Sequence, residues 1–212
     1  MEYFDVLDCA GRKTGERIER DAAHAGGIWH GAFHCCMIYP QDGASCALFQ
    51  LRSRAKRIAP GKFDVSVGGH YAAGEGPEGA GPREVREELG LVIPFGQLVP
   101  VGKRTFVYCF APELREYEFQ DVYLLPMAGR PGGLELQPEE VDGVLELDIV
   151  EGIQLFTGQQ ETAEGRFIGP GGDEAVRAVT TSDFVPCLDN YYCRLLVLAR
   201  RYFAGERQAL VI

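Results

Sequence analysis

The sequence predicts a mixed α/β sandwich. Three observations carry that expectation. Strand-like runs recur at spacings too short for helical crossovers, which disfavours a parallel doubly wound sheet. A short charged segment with helical spacing lies between strand runs in the middle of the chain. A longer amphipathic segment closes the chain. Sheet, buried helix, more sheet and terminal helix is the order of a layered α/β domain. The 212 residues are enough for one sizeable core, so one domain over 1–212 is expected.

The elements follow in order. Residues 3–7 read as a short strand before the turn "DCAGRKTG", and residues 17–25 as a short helical or irregular piece ended by Gly26 and Gly27. "IWHGAFHCCMIYP" and "SCALFQLRS" are apolar strand runs split by the turn "PQDGA". "KFDVSVGG" alternates as a strand does. A glycine-rich loop over 74–81 leads to Pro82, placed at a first helical position, and Gly90 sits where a helix stops; the spacing predicts a helix over 82–89. "LVPVGKRTFVYCF" and "REYEFQDVYLLP" predict an antiparallel pair turning at "APEL". "GVLELDIV" is a further strand, "EGIQLF" a helical turn, and "TGQQETAEGRFIGPGGD" a polar excursion. Residues 183–203 predict an amphipathic helix with Leu195, Leu196, Leu198 and Ala199 towards the core.

Composition excludes some functions. A formal charge of -10 leaves no basic face for nucleic acid, although a few arginines and a metal can still reverse the sign locally for a small anion. The seven cysteines are odd in number and lack a CxxC pair; they read as reduced, mostly buried thiols of a cytoplasmic protein. The start, "MEYFDVLDCAG", lacks the basic flank and apolar run of a signal peptide. No apolar run reaches the roughly 18 residues of a membrane span. The expected partner is a small molecule; a homodimer is compatible with the sequence.

The chemistry concentrates in "GHYAAGEGPEGAGPREVREELGL", residues 69–91. Glu84, Glu87 and Glu88 stand at i, i+3 and i+4, so on a helix they share one side. Like charges there repel by a few tenths of a kcal/mol per pair, roughly, and a divalent cation reverses that sign. Mg²⁺ or Mn²⁺, hard ions that prefer carboxylate oxygen, suit such a cradle.

Gly69, five residues, Glu75, seven residues, Arg83-Glu84, aliphatic Val85, any residue, Glu87-Glu88, any residue, Gly90 and aliphatic Leu91 form a pattern that resembles the Nudix hydrolase signature at every required position. The resemblance implies an α/β/α sandwich around a mixed sheet, and Mg²⁺- or Mn²⁺-dependent hydrolysis of nucleoside diphosphates linked to another group. It makes Glu84, Glu87 and Glu88 catalytic metal ligands, joined by the Gly69 carbonyl. Glu75, Arg83 and Gly90 become structural residues of the box, with Glu75 and Arg83 bracing its loop against its helix.

"AAHAGGIWHGAF" and "SVGGH" look like the isopentenyl-diphosphate isomerase branch of that family. That branch holds a metal with three histidines and two glutamates. His24, His30 and His70 match, and Glu116 and Glu118 in "EYEF" share one side of a strand. Two departures argue against isomerase activity. Gly68 stands where the isomerase keeps a cysteine, and the box is intact where the isomerase box is usually degenerate. The expectation is therefore a hydrolase of the isomerase-like branch; an isomerase working without that cysteine and a non-catalytic nucleotide sensor are the alternatives.

The basic run "LRSRAKRIAPGKFD" offers Arg52 and Lys56 to a diphosphate. Glu87 or Glu88 is the first candidate for the base, with Glu139 and Glu140 read as an acidic turn. His34 is read as structural and Trp29 as core.

Overall fold

A computed structural model describes residues 1–208 and 210–212. Its centre is β3 (His30–Gln41), a mostly apolar run because both of its faces are covered, broken by His34. Phe33, Cys35 and Met37 point to one core, and Cys36 and Ile38 to the other. The first core is closed by α2 (Pro77–Leu89), through Val85 and Leu89. The second is closed by α3 (Ile149–Phe156) and α4 (Tyr191–Phe203), through Leu155, Leu195, Leu196 and Ala199. The result is the expected α/β/α sandwich.

The remaining strands are β1 (Tyr3–Leu7), β2 (Lys13–Glu19), β4 (Ala44–Arg52), β5 (Phe63–Val65), β6 (Val67–His70), β7 (Val99–Ala111), β8 (Leu114–Pro126), β9 (Val141–Asp148), β10 (Ala163–Ile168) and β11 (Glu174–Val179). Among the described residues, β1 and β2 form a separate ribbon, and the main sheet runs β11-β10-β9-β4-β3-β8-β7 with β5 on β4 and β6 on β3. β3 and β8 are parallel; the other pairings are antiparallel, so the sheet is mixed. The β7–β8 hairpin turns where "APEL" predicts.

One feature of register makes the site. β3 and β4 pair only from Ile38↔Ala47 to Gln41↔Ala44, then part. β3 takes β6 as its new partner, and β4 takes β5. Ser66, between β5 and β6, bridges the fork: it accepts from the Met37 N–H and donates to the Leu48 carbonyl. The glycines at 68 and 69 therefore lie in a gap of the sheet, with α2 behind them.

The structure corrects several boundaries. α2 begins at Pro77, which occupies the first turn, and Pro82 lies inside the helix. Ala80 and Gly81 are buried: a Cβ on Gly81 would stand 2.9 Å from Phe33 and 3.0 Å from Leu98, so small residues that read as loop are the contact side of a helix. The first helix, α1 (Arg20–Gly26), is preceded by β2 where a turn and irregular chain were expected. The polar excursion contains β10 and the turn into β11, an edge hairpin where solvent removes the apolar alternation. The final helix starts at Tyr191, not 183; Val185 instead donates its N–H to the Phe63 carbonyl, and Pro186 follows. All seven cysteines are free, with Cys35, Cys36 and Cys193 buried but Cys9 and Cys109 exposed, so "mostly buried" does not hold. Trp29 packs on Tyr117 and Phe119. No helix among the described residues is long and apolar enough to cross a membrane.

Candidate active site

Residues of both sequence-selected groups line one cavity of about 570 Å³, with His30 fully buried and off its wall. α2 supplies the first group. Glu84 and Glu88 are 8% and 2% exposed, whereas Glu87 lies on the solvent side, so the three carboxylates do not share burial. Glu88 Oε2 accepts from Gln50 Nε2 at 2.9 Å and from the Gly68 N–H at 3.1 Å, one donor from each side of the fork. A Cβ on Gly69 would stand 2.1 Å from the Glu84 carboxyl carbon. That position has no room for a side chain because Glu84 fills it. Gly90 caps the helix at φ 73° and donates its N–H to the Arg86 carbonyl.

Arg83 ties this group together. It donates to Glu75 Oε1 and Oε2 at 3.0 and 2.8 Å, to Glu87 at 3.0 Å and to the His70 carbonyl at 3.3 Å, and lies 2.9 Å from Glu84. The Glu75 carboxylate also accepts from the Ala72 N–H. These bonds hold the loop against the helix.

The second group comes from α1, β3, β6 and β8. His24, His30, His70 and Glu116 offer ligand atoms all within 4.8 Å of one another. Glu118 Oε1 lies 2.9 Å from His70 Nε2 and 3.7 Å from His30 Nε2. His30 Nδ1 lies 2.8 Å from the Ile28 carbonyl, which assigns the ring proton to Nδ1 and leaves the Nε2 lone pair facing the cluster. Phe4 stacks on His30 at 4.8 Å and packs against His24 and His70.

Burial sets the protonation here. It lowers His24 to about 3, helped by His70 and His30. Glu116 is pushed well up, by burial and then by the charge of Glu118. His24 Nε2, His30 Nε2 and Glu116 Oε1 are buried without a hydrogen-bond partner. Unpartnered buried acceptors of this kind are costly unless something binds them. Three imidazoles with carboxylates form a donor set that suits a divalent transition metal, so these residues fit a metal.

The basic residues are placed less openly than the sequence suggests. Arg52 donates to the Ile58 carbonyl through Nε and Nη2 and to Asp64 through Nη1. Lys56 pairs with Glu140. Both line the cavity, as do Glu139 and Glu140. Three functional candidates escaped the sequence reading: Gln50, Asp64 and His34. Gln50 and Asp64 lie in ordinary strand alternation, and His34 matched no motif. Their significance depends on which strands part at the fork.

Glu88 is raised to about 8, first by burial and then by Glu84, against the pull of Lys56. Its unfolded value is near 4.5, so metal-free folded protein retains a proton that the unfolded chain has released between those values. Stability in chelator therefore falls as pH rises through that window. The melting temperature of the wild type should drop from pH 5 to pH 8 by about 5–15 °C more than that of Glu88→Gln. Equal drops in the two proteins would refute the assignment.

Residues 29–165 match the family model described as NUDIX domain. The chain belongs to the Nudix family. An uncharacterized Nudix hydrolase of Clostridium acetobutylicum is 30% identical over 195 residues, covering 90% of this chain and 93% of that one. An isopentenyl-diphosphate Delta-isomerase of Mycolicibacterium vanbaalenii is 39% identical over 92 residues, 43% of this chain and 49% of its own. A crystal structure from Deinococcus radiodurans superposes with a TM-score of 0.54 at 22% identity, over 75% of this chain and 91% of that one; it shares the fold.

Proposed function

We propose that this protein is a Mg²⁺- or Mn²⁺-dependent pyrophosphohydrolase that cleaves the diphosphate linkage of a small nucleoside diphosphate derivative or related diphosphate. The carrying observation is the pair of buried carboxylates, Glu84 and Glu88, on the cavity wall beside a glycine that only a hydrogen atom fits. Glu84, Glu87, Glu88 and the Gly69 carbonyl would hold the ion. When bound, the ion neutralises diphosphate charge and acidifies a water. Glu88, held by Gln50 and Gly68, would take up the proton of the attacking water, and Glu87, which faces solvent, is the second candidate base. Arg52 and Lys56 would receive the phosphates, with Lys56 exchanging Glu140 for a phosphate oxygen. His24, His30, His70, Glu116 and Glu118 would hold a second ion. The catalytic unit would include α4, whose residues complete one core, and so extend beyond residues 29–165.

A second reading, isoprenoid-diphosphate isomerisation, has two observations behind it: the histidine–glutamate cluster, and Cys187 on the cavity wall. Gly68 stands against it. Two measurements separate the readings. Hydrolysis predicts phosphate or nucleoside monophosphate release from a panel of nucleoside, sugar and dinucleotide diphosphates with Mg²⁺ or Mn²⁺. Isomerisation predicts solvent deuterium in isopentenyl diphosphate. Deuterium uptake with no hydrolysis across the panel would overturn the proposal.

A further inference from the structure

Beside apolar residues such as Phe106, Val185 and Pro186, the cavity wall carries His34, Asp64, Arg104, Gln120 and Tyr192, all at most 9% exposed. Most of these side chains are occupied with one another. Arg104 donates to both oxygens of Asp189 at 2.8 Å and to Gln120 Oε1 at 2.9 Å, and Gln120 Nε2 donates to Glu118. Asp64 accepts from Tyr192 at 3.1 Å and from Arg52. His34 differs. Its Nδ1 lies 3.2 Å from the Tyr191 hydroxyl, and its Nε2 has no hydrogen bond among the described residues.

His34 and Gly68 are directly opposite in the β3–β6 pair. A Cβ on residue 68 would touch His34 Nε2 and Cδ2, at 3.5 Å each. The imidazole thus stands against the place where a side chain at 68 would begin, and the glycine leaves its Nε2 edge open to the cavity. Burial lowers His34 to about 4, so the ring is neutral at pH 7 and carries one proton. The 3.2 Å contact allows either direction; where the Tyr191 hydroxyl donates to Nδ1, the ring proton is on Nε2 and faces the cavity.

We infer that His34 reads the group attached to the diphosphate, donating a hydrogen bond from Nε2 to an acceptor oxygen or nitrogen of the kind a nucleobase presents. The inference rests on the hydrolase reading, so its test is made on binding, separately from turnover. Nucleoside monophosphates contain no anhydride to cleave. Their dissociation constants are measured by calorimetry with Mg²⁺, beside inorganic phosphate, which has no attached group, and isopentenyl monophosphate, which has a hydrocarbon one. His34→Leu should weaken at least one nucleoside monophosphate by about 3–10-fold, the range of one net hydrogen bond, and leave the two controls within twofold. His34→Gln, which retains an N–H donor, should recover most of the loss. Tyr191→Phe keeps the ring but frees its tautomer, and should weaken the same nucleotide about 2–3-fold even if His34→Leu does not fold. Equal shifts for all three ligand types, or no shift with Tyr191→Phe, overturn the assignment. Loss of hydrolysis in Glu88→Gln with no His34 effect would leave the hydrolase reading standing alone.

Discussion

Glu88→Gln should lower turnover by roughly 10²–10⁴-fold while the protein remains folded, the range for removing a positioned acid–base group. The size follows from how Glu88 is held. One carboxylate oxygen accepts from Gln50 and Gly68 across the fork between β3 and β4. Glutamine has the same shape, and its amide oxygen can keep both bonds. Its NH₂ then faces the cavity, presenting donors where a metal or water needs a lone pair. The substitution also removes a charge that burial disfavours in the metal-free protein, so its melting temperature in chelator should match or exceed that of the wild type at pH 8. Turnover at saturating Mg²⁺, a Mg²⁺ titration and a melting curve test this together. Wild-type turnover would remove the box from the catalytic centre.

Gly69→Ala should cost about 10²-fold in turnover with little loss of stability. The added methyl would lie 2.1–2.5 Å from all three carboxyl atoms of Glu84, which no contact permits. Those atoms end a flexible side chain, so the fold gives way by moving Glu84 rather than by unfolding. Gly69 pairs with Phe33 in the β3–β6 ladder, and alanine can take its place there. A displacement of about 1 Å at a catalytic group is enough for a loss of this order. The melting temperature should remain within about 3 °C of wild type. Turnover close to wild type would show that the position of Glu84 does not matter, and a fall in both quantities would point to a folding defect.

Much of this was legible in the sequence because it is local. The spacing of Glu84, Glu87 and Glu88 depends only on helical periodicity. Glu116 and Glu118 share a side because strand side chains alternate. The "APEL" hairpin and the run of β3 follow from turn chemistry and from burial on both faces. Boundaries were less legible where two signals compete. The sequence reading starts the helix at Pro82, whereas the packing of Ala80 and Gly81 under Phe33 and Leu98 carries it back to Pro77. The β10–β11 hairpin has polar residues at a sheet edge, so its partner strand β9, rather than its own periodicity, makes it a strand.

By itself, the sequence determined the layered α/β architecture, the family and the set of ligand-type side chains. Each is written in spacings of a few residues, where local geometry leaves little freedom. Tertiary structure decided what those side chains face. It buried Glu84 and Glu88 but left Glu87 in solvent, committed Arg52 to Asp64 and Ile58, and turned His34 from a structural residue into part of the cavity wall. These outcomes depend on the parting of β3 from β4 and on which strand fills the gap. Such pairings join residues far apart in the chain, and their energies come from burial and hydrogen bonds that exist only once the sheet has formed.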